Sequence, residues 1–210
     1  MSTRRGFLVS VPLLLVARDL LAAGALEKGV YQVTGRAAIN GTPARRGMEV
    51  KAGDVVMTGA GSQIIFVINR DAFLMRADSR LEVGRGAADV FRLVTGALLS
   101  VYQPGMRKTL QARTATIGIR GTGVYVESET DKTYVCTCYG EAEIVPLDDP
   151  GAAETVRTRH HEQPRYVMSK GAPQMMMKAP VINHSDAELE LLESLVGRSA
   201  PFDPTDYGRY

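Results

Sequence analysis

Residues 63–83 read Gln63-Ile64-Ile65-Phe66-Val67-Ile68-Asn69-Arg70-Asp71-Ala72-Phe73-Leu74-Met75-Arg76-Ala77-Asp78-Ser79-Arg80-Leu81-Glu82-Val83. Branched and aromatic side chains fill Gln63–Ile68. Asn69-Arg70-Asp71 interrupts them with residues that favour a turn. Phe73–Arg76 resumes the apolar run, and Arg80–Val83 alternates polar and apolar positions. No apolar repeat at three and four residues competes, so the stretch reads as three short strands and not as helix.

The same pattern extends outward from there. Upstream lie Val30–Ile39 and Val55–Thr58; downstream lie Val90–Val94, Ala97–Tyr102, Thr109–Arg113, Thr116–Ile119, Gly123–Ser128, Thr133–Tyr139 and Ala142–Val145. Gly53-Asp54, Gly59-Ala60-Gly61, Gly84-Arg85-Gly86 and Gly105 punctuate them as turns. After the linker Leu147-Asp148-Asp149-Pro150-Gly151 come two more strands, Thr155–Arg159 and Arg165–Met168, and the run Met175-Met176-Met177. Ser185-Asp186-Ala187-Glu188 is a capping box. Leu189, Leu192, Leu195 and Val196 then recur on one face until Gly197, which predicts one helix from Ser185 to Val196. The tail from Ser199 to Tyr210 has no period. The expected fold is all-β, a short-stranded solenoid-like or two-layered arrangement with one C-terminal α-helix.

With 210 residues, 45% of them hydrophobic, the chain can bury a core. A formal charge of +2 supplies no concentrated basic face, which argues against a nucleic-acid partner. The N-terminus is a separate matter. Arg4-Arg5-Gly6-Phe7-Leu8, the apolar run Val9 to Ala17 and the small residues Ala23-Gly24-Ala25 together form an export signal with cleavage expected after Ala25. The paired arginines before Phe-Leu resemble the twin-arginine motif; Val9 stands where Lys is common, which keeps a general secretory signal open. Removing residues 1–25 deletes three arginines and one aspartate and leaves the remainder formally neutral. No second candidate membrane span follows, so the mature protein is expected to be periplasmic in a bacterium. The expected organisation is a signal over 1–25, a β domain over 26–146 and a C-terminal extension over 147–210.

Two stretches in order carry a family resemblance. One is Val50-Lys51-Ala52-Gly53-Asp54-Val55-Val56-Met57-Thr58-Gly59-Ala60-Gly61-Ser62; the other is Thr114-Ala115-Thr116-Ile117-Gly118-Ile119-Arg120-Gly121-Thr122-Gly123-Val124-Tyr125-Val126. With Thr133-Tyr134-Val135 and Gly140-Glu141-Ala142-Glu143-Ile144 after them, the chain resembles the FecR domain family, named for the regulator of iron-dicitrate transport. The resemblance implies an all-β fold on the outer side of the cytoplasmic membrane. In the regulators, a cytosolic segment that binds a sigma factor and a membrane helix precede that fold. Here the export signal starts at residue 1, so direct sigma-factor control is not expected. Gly53, Asp54, Arg120, Gly121 and Thr122 are the motif residues, expected to shape turns and a corner more than to touch a ligand.

Chemistry points to Cys136 and Cys138. Two residues apart in a strand, their side chains share a face, with Cα atoms roughly 6.6 Å apart at ~3.3 Å per residue, near the upper limit for a disulfide. They could form half of a soft-metal site, a redox pair, or simply pack as small hydrophobes. His160 and His161 are adjacent, so in a strand only one could join the cysteines. A set of two Cys with one His, and a further His or Met, suits Zn, Cu or an Fe–S cluster. There is no Cys-x-x-Cys, no Gly-x-Ser-x-Gly and no phosphate loop, so enzyme activity is not expected. The expected function is a non-catalytic binding or sensing module that meets an envelope protein or glycan. The alternative is a metal- or redox-active protein built on the Cys-x-Cys pair.

Overall fold

The structure, a computed structural model, describes residues 28–85 and 89–202, except for the side chain of Thr122. The export signal, with Arg4, Arg5 and the expected cleavage after Ala25, lies outside the described residues, as do Gly86 of the predicted turn and residues 203–210 of the tail.

The fold is all-β with one C-terminal helix. The first seven strands are β1 (Gly29–Thr34), β2 (Ala37–Ile39), β3 (Thr42–Pro43), β4 (Val55–Thr58), β5 (Gln63–Ile68), β6 (Asp71–Met75) and β7 (Arg80–Val83). Three long strands follow around a short one: β8 (Val90–Val101), β9 (Arg107–Gln111), β10 (Ala115–Ser128) and β11 (Lys132–Pro146). The chain closes with β12 (Glu154–Thr158), β13 (Arg165–Met168), β14 (Met176–Lys178) and the helix α1 (Asp186–Leu195). The opening stretch is the β5–β6 hairpin, its turn closed by Asn69 at φ 56°, followed by β7.

Three of these strands each join two runs expected from the sequence, and the single expected strand Val30–Ile39 is divided. Gly35, at φ 74°, separates β1 from β2. Conversely Val90–Val94 and Ala97–Tyr102 fuse into β8, while β10 and β11 each absorb two predicted runs. In each fused strand the predicted break holds a glycine with positive φ: Gly96 (86°), Gly121 (53°) and Gly140 (89°). Those glycines bend the strands without ending them. Before Gly96, β8 pairs with β7 and, in parallel, with β9; after it, β8 pairs with β6 and β10. β10 likewise changes partner from β9 to β8 across Gly121. Hydrogen bonding therefore runs through one 14-stranded sheet among the described residues, folded so that both parts share a core.

That core holds Phe91, Leu93, Ile117 and Ile144 from one part and Phe66, Phe73, Leu98 and Val126 from the other. The rings of Phe66 and Phe73 stack at 5.1 Å, and Phe91 lies 4.9 Å from Phe73. A second apolar cluster occupies the opposite face of β5, β6, β8, β10 and β11, where Ile65, Leu74, Leu99, Tyr125 and Tyr134 meet Leu189, Leu192 and Val196 of the C-terminal arm. α1 begins as predicted: the Ser185 and Glu188 side chains form the capping box, and Gly197 at φ 70° ends the helix. No helix of the described residues is long and apolar enough to cross a membrane.

Candidate metal centre

Alternation along β11 puts Tyr134, Cys136 and Cys138 on the arm-covered face, while Val135 faces the shared core. Val124 opposes Thr137 and Gly123 opposes Tyr139, so Cys138 is the extra residue of a bulge. Gly123 is needed there, because a Cβ at that position would come within 2.5 Å of the Tyr139 ring. Both cysteines are free thiols and both are fully buried.

Two histidines arrive from different loops. Beyond β12, the Thr158 hydroxyl donates to the Thr137 carbonyl at 2.6 Å and the His161 amide donates to the Cys138 carbonyl at 2.9 Å, which fastens this loop to β11. His161 has φ 57°, an uncommon conformation for a residue other than glycine. The turn at Asn183 (φ 56°) then presents His184, whose ring stacks on Tyr125 at 4.6 Å. The ligand atoms of Cys136, Cys138, His161 and His184 all lie within 4.8 Å of one another. Cys136 Sγ is 3.4 Å from His161 Nδ1, and His161 Nδ1 is 3.0 Å from His184 Nε2.

The outer nitrogens fix which way the rings present their lone pairs. His184 Nδ1 lies 2.6 Å from the Ile182 carbonyl and His161 Nε2 lies 3.1 Å from Asp186 Oδ1. A carbonyl and a carboxylate can only accept, so both outer nitrogens donate. With both rings neutral, the inner nitrogens bring lone pairs together across 3.0 Å; a metal ion between them, or a proton on one of them, resolves that repulsion. Tetrahedral zinc with nitrogens at about 2.05 Å would set them about 3.3 Å apart. The carboxylate–histidine and carbonyl–histidine contacts are those that orient imidazole ligands.

The protonation pattern agrees with this geometry. Burial opposes ionisation of Cys136, yet hydrogen bonds from Cys138, His161 and His184 outweigh it and hold the thiol well below its ordinary range. Burial, together with the Cys136 thiolate beside it, holds Cys138 well above that range. His161 is raised: burial works against its charge, but Cys136 and Asp186 prevail.

Of the four residues that the sequence nominates, Cys136, Cys138 and His161 converge. His160 stands one step out. Its Nε2 lies 2.9 Å from Asp186 Oδ1 and its ring is 4.7 Å from that of Phe202, so it braces the carboxylate. His184 and Asp186 are the participants missing from that nomination. His184 supplies the further histidine that the sequence leaves open, and Asp186 shows only as a residue of the first helical turn, which favours an anion. The motif residues lie elsewhere. Gly53 (φ 89°) and Asp54 form a turn in which Asp54 accepts from the Lys51 amide and the Asn40 side chain, each at 2.7 Å. Arg120 is exposed opposite Glu141. Gly121 forms a bulge within β10 where a corner is expected, and a Cβ there would meet Pro104 at 2.6 Å. The Thr122 side chain lies outside the described residues.

No protein-family model matches this chain, and no curated protein does. Solved structures do. One is a 1.65 Å crystal structure of a candidate anti-sigma factor from Parabacteroides distasonis, with TM-score 0.52 and 12% identity over 65% of this chain and 64% of that one. Another candidate anti-sigma factor from the same organism, at 2.50 Å, gives TM-score 0.49 and 13% identity over 60% and 58%. The likeness is one of fold. The match spans less than two thirds of either neighbour.

Proposed function

We propose that this protein is a non-catalytic, exported regulatory module that binds one zinc-class cation through Cys136, Cys138, His161 and His184. The observation that carries the reading is the pair of inward-facing imidazole nitrogens 3.0 Å apart, closed off by two buried sulfurs. A closed set of two sulfurs and two nitrogens is the donor set of structural zinc. The span of under 4.8 Å suits a single ion; in a two-iron cluster with this donor set, cysteines and histidines bind different irons. The fold shared with a candidate anti-sigma factor supports a regulatory role, and the twin-arginine-like start supports export of an already folded, loaded protein. An envelope protein or glycan is the expected partner.

Cys136, His161 and Asp186 also stand in the order of a thiol nucleophile, its base and an orienting carboxylate, a line that sequence separation conceals. Burial speaks against turnover, since Cys136 exposes no surface to a substrate. Elemental analysis of the purified full chain supplied with zinc tests the proposal. About one zinc per chain is expected, falling below roughly 0.2 in Cys136→Ser/Cys138→Ser. Wild-type protein that stays below that level, or an unchanged content in the variant, would overturn it.

A further inference from the structure

Three of the four ligands belong to the β body. Cys136 and Cys138 are on β11, and His161 is in a loop bonded to it. His184 alone belongs to the C-terminal arm, residues 179–202, which lies across the outer face of the sheet. α1 is attached to the centre by two routes. The chain runs directly from His184 through the N-cap Ser185 into the helix, and Asp186, the first helical residue, accepts a hydrogen bond from His161. Elsewhere the arm is held by contacts that bypass the four ligands, the buried Tyr139–Glu193 hydrogen bond among them. The Tyr134 hydroxyl donates to Pro180 at 2.9 Å, and Arg76 reaches Glu188 and the Asn183 carbonyl at 2.9 and 2.7 Å. Leu189, Leu192 and Val196 bury their side chains against the sheet.

We infer that the metal is a latch: its binding fastens the C-terminal arm onto the outer sheet face, and site occupancy and arm closure form one coupled equilibrium. This rests on the zinc reading above. With the arm lifted, the ion keeps Cys136, Cys138 and His161 and loses His184, so the closed state binds it more tightly. The ion therefore raises the free energy of opening by the ratio of the two affinities, and closure tightens the ion's binding by the same factor. The surface controlled in this way is the apolar face of Ile65, Leu74, Leu99, Tyr125 and Tyr134, which the closed arm covers.

Amide hydrogen exchange of the full chain, with zinc and with a chelator, reads the latch directly, and elemental analysis of the same samples reports occupancy. With zinc in excess, exchange across α1 should slow about tenfold or more relative to chelated protein, while β5 and β6 change far less. In His184→Ala, zinc held by the remaining three ligands should still protect β11 but slow α1 far less, since only the Asp186–His161 route remains. One zinc per chain with unchanged exchange in α1 would overturn the latch and leave the site intact. So would a His184→Ala variant whose α1 responds to zinc as fully as wild type. No bound zinc in wild type would overturn the site itself, and the latch with it.

Discussion

Asp186 does two jobs at one position. Its carboxylate, 3% exposed, accepts from His160 and His161 and also sits in the first turn of α1, where the exposed backbone amides favour negative charge. Replacing Asp186 with Asn keeps the shape and removes the charge. Zinc affinity, measured by competition with a chromophoric chelator, should fall about 10- to 100-fold, the usual effect of losing a partner behind a metal ligand. Chelated Asp186→Asn protein should also lose about 1–3 kcal/mol of stability, because His160 and His161 lose a buried charged acceptor. An affinity equal to wild type would show that the carboxylate does not orient His161. His160 illustrates the complementary case. It is a histidine beside the cluster, its ring against Phe202 and its Nε2 on Asp186.

Among the elements, the three long strands depend on glycines at their bends. At Gly96 the backbone has φ 86°, and a Cβ would lie 2.5 Å from Ser79 Cα. Ser79 cannot withdraw easily, because its hydroxyl accepts from the Ala97 amide at 2.9 Å. Gly96→Ala should therefore cost about 2–4 kcal/mol, combining the strain of positive φ with backbone overlap; a denaturant midpoint measured at unchanged m-value checks it. Just before Gly96, Val94 is an extra residue opposite the Arg80–Leu81 step, and that bulge reverses which side chains face the shared core. Phe91 and Leu93 face it before Gly96, and Leu98 faces it afterwards, sending Leu99 to the face that the arm covers. Without that bulge, β8 could not serve both clusters.

For the whole molecule, zinc that binds only the folded chain adds to its stability by mass action. Free zinc at about 100 times Kd should contribute roughly 2.7 kcal/mol, seen as a thermal midpoint that falls on chelation and does not move in Cys136→Ser/Cys138→Ser. The pH dependence follows from the ligands. Cys138, held well above the ordinary thiol range in the metal-free protein, must give up its proton for the ion to bind, so the zinc-dependent part of the stability shrinks as pH falls and grows as it rises. A midpoint shift on chelation that does not vary with pH would contradict thiolate ligation. The β body has its own core of Phe66, Phe73, Phe91 and their neighbours, so chelation should loosen the arm before it unfolds the sheet.

Much of this was legible in the residues themselves. A run of branched and aromatic residues reveals β5, and period-two alternation reveals β7 and the shared face of Cys136 and Cys138, because a strand's side chains alternate whatever surrounds it. The capping box and the leucine stripe mark α1 for a similar reason: helix ends satisfy their amides locally. Glycine is ambiguous, since the same positive φ ends a strand at Gly35 and bends one at Gly96; only the neighbours available for pairing decide which. The cysteine–histidine cluster is less visible still. Cys136 and His184 are 48 positions apart, with no spacing rule to connect them, and adjacency makes His160 as good a candidate as His161. The amide bond from His161 to Cys138, the bulge at Cys138 and the docking of the arm choose among them. Local chain chemistry determined the strands and the helix; the meeting of four ligands arose only when distant segments packed on one face, because convergence in space depends on contacts that no local pattern encodes.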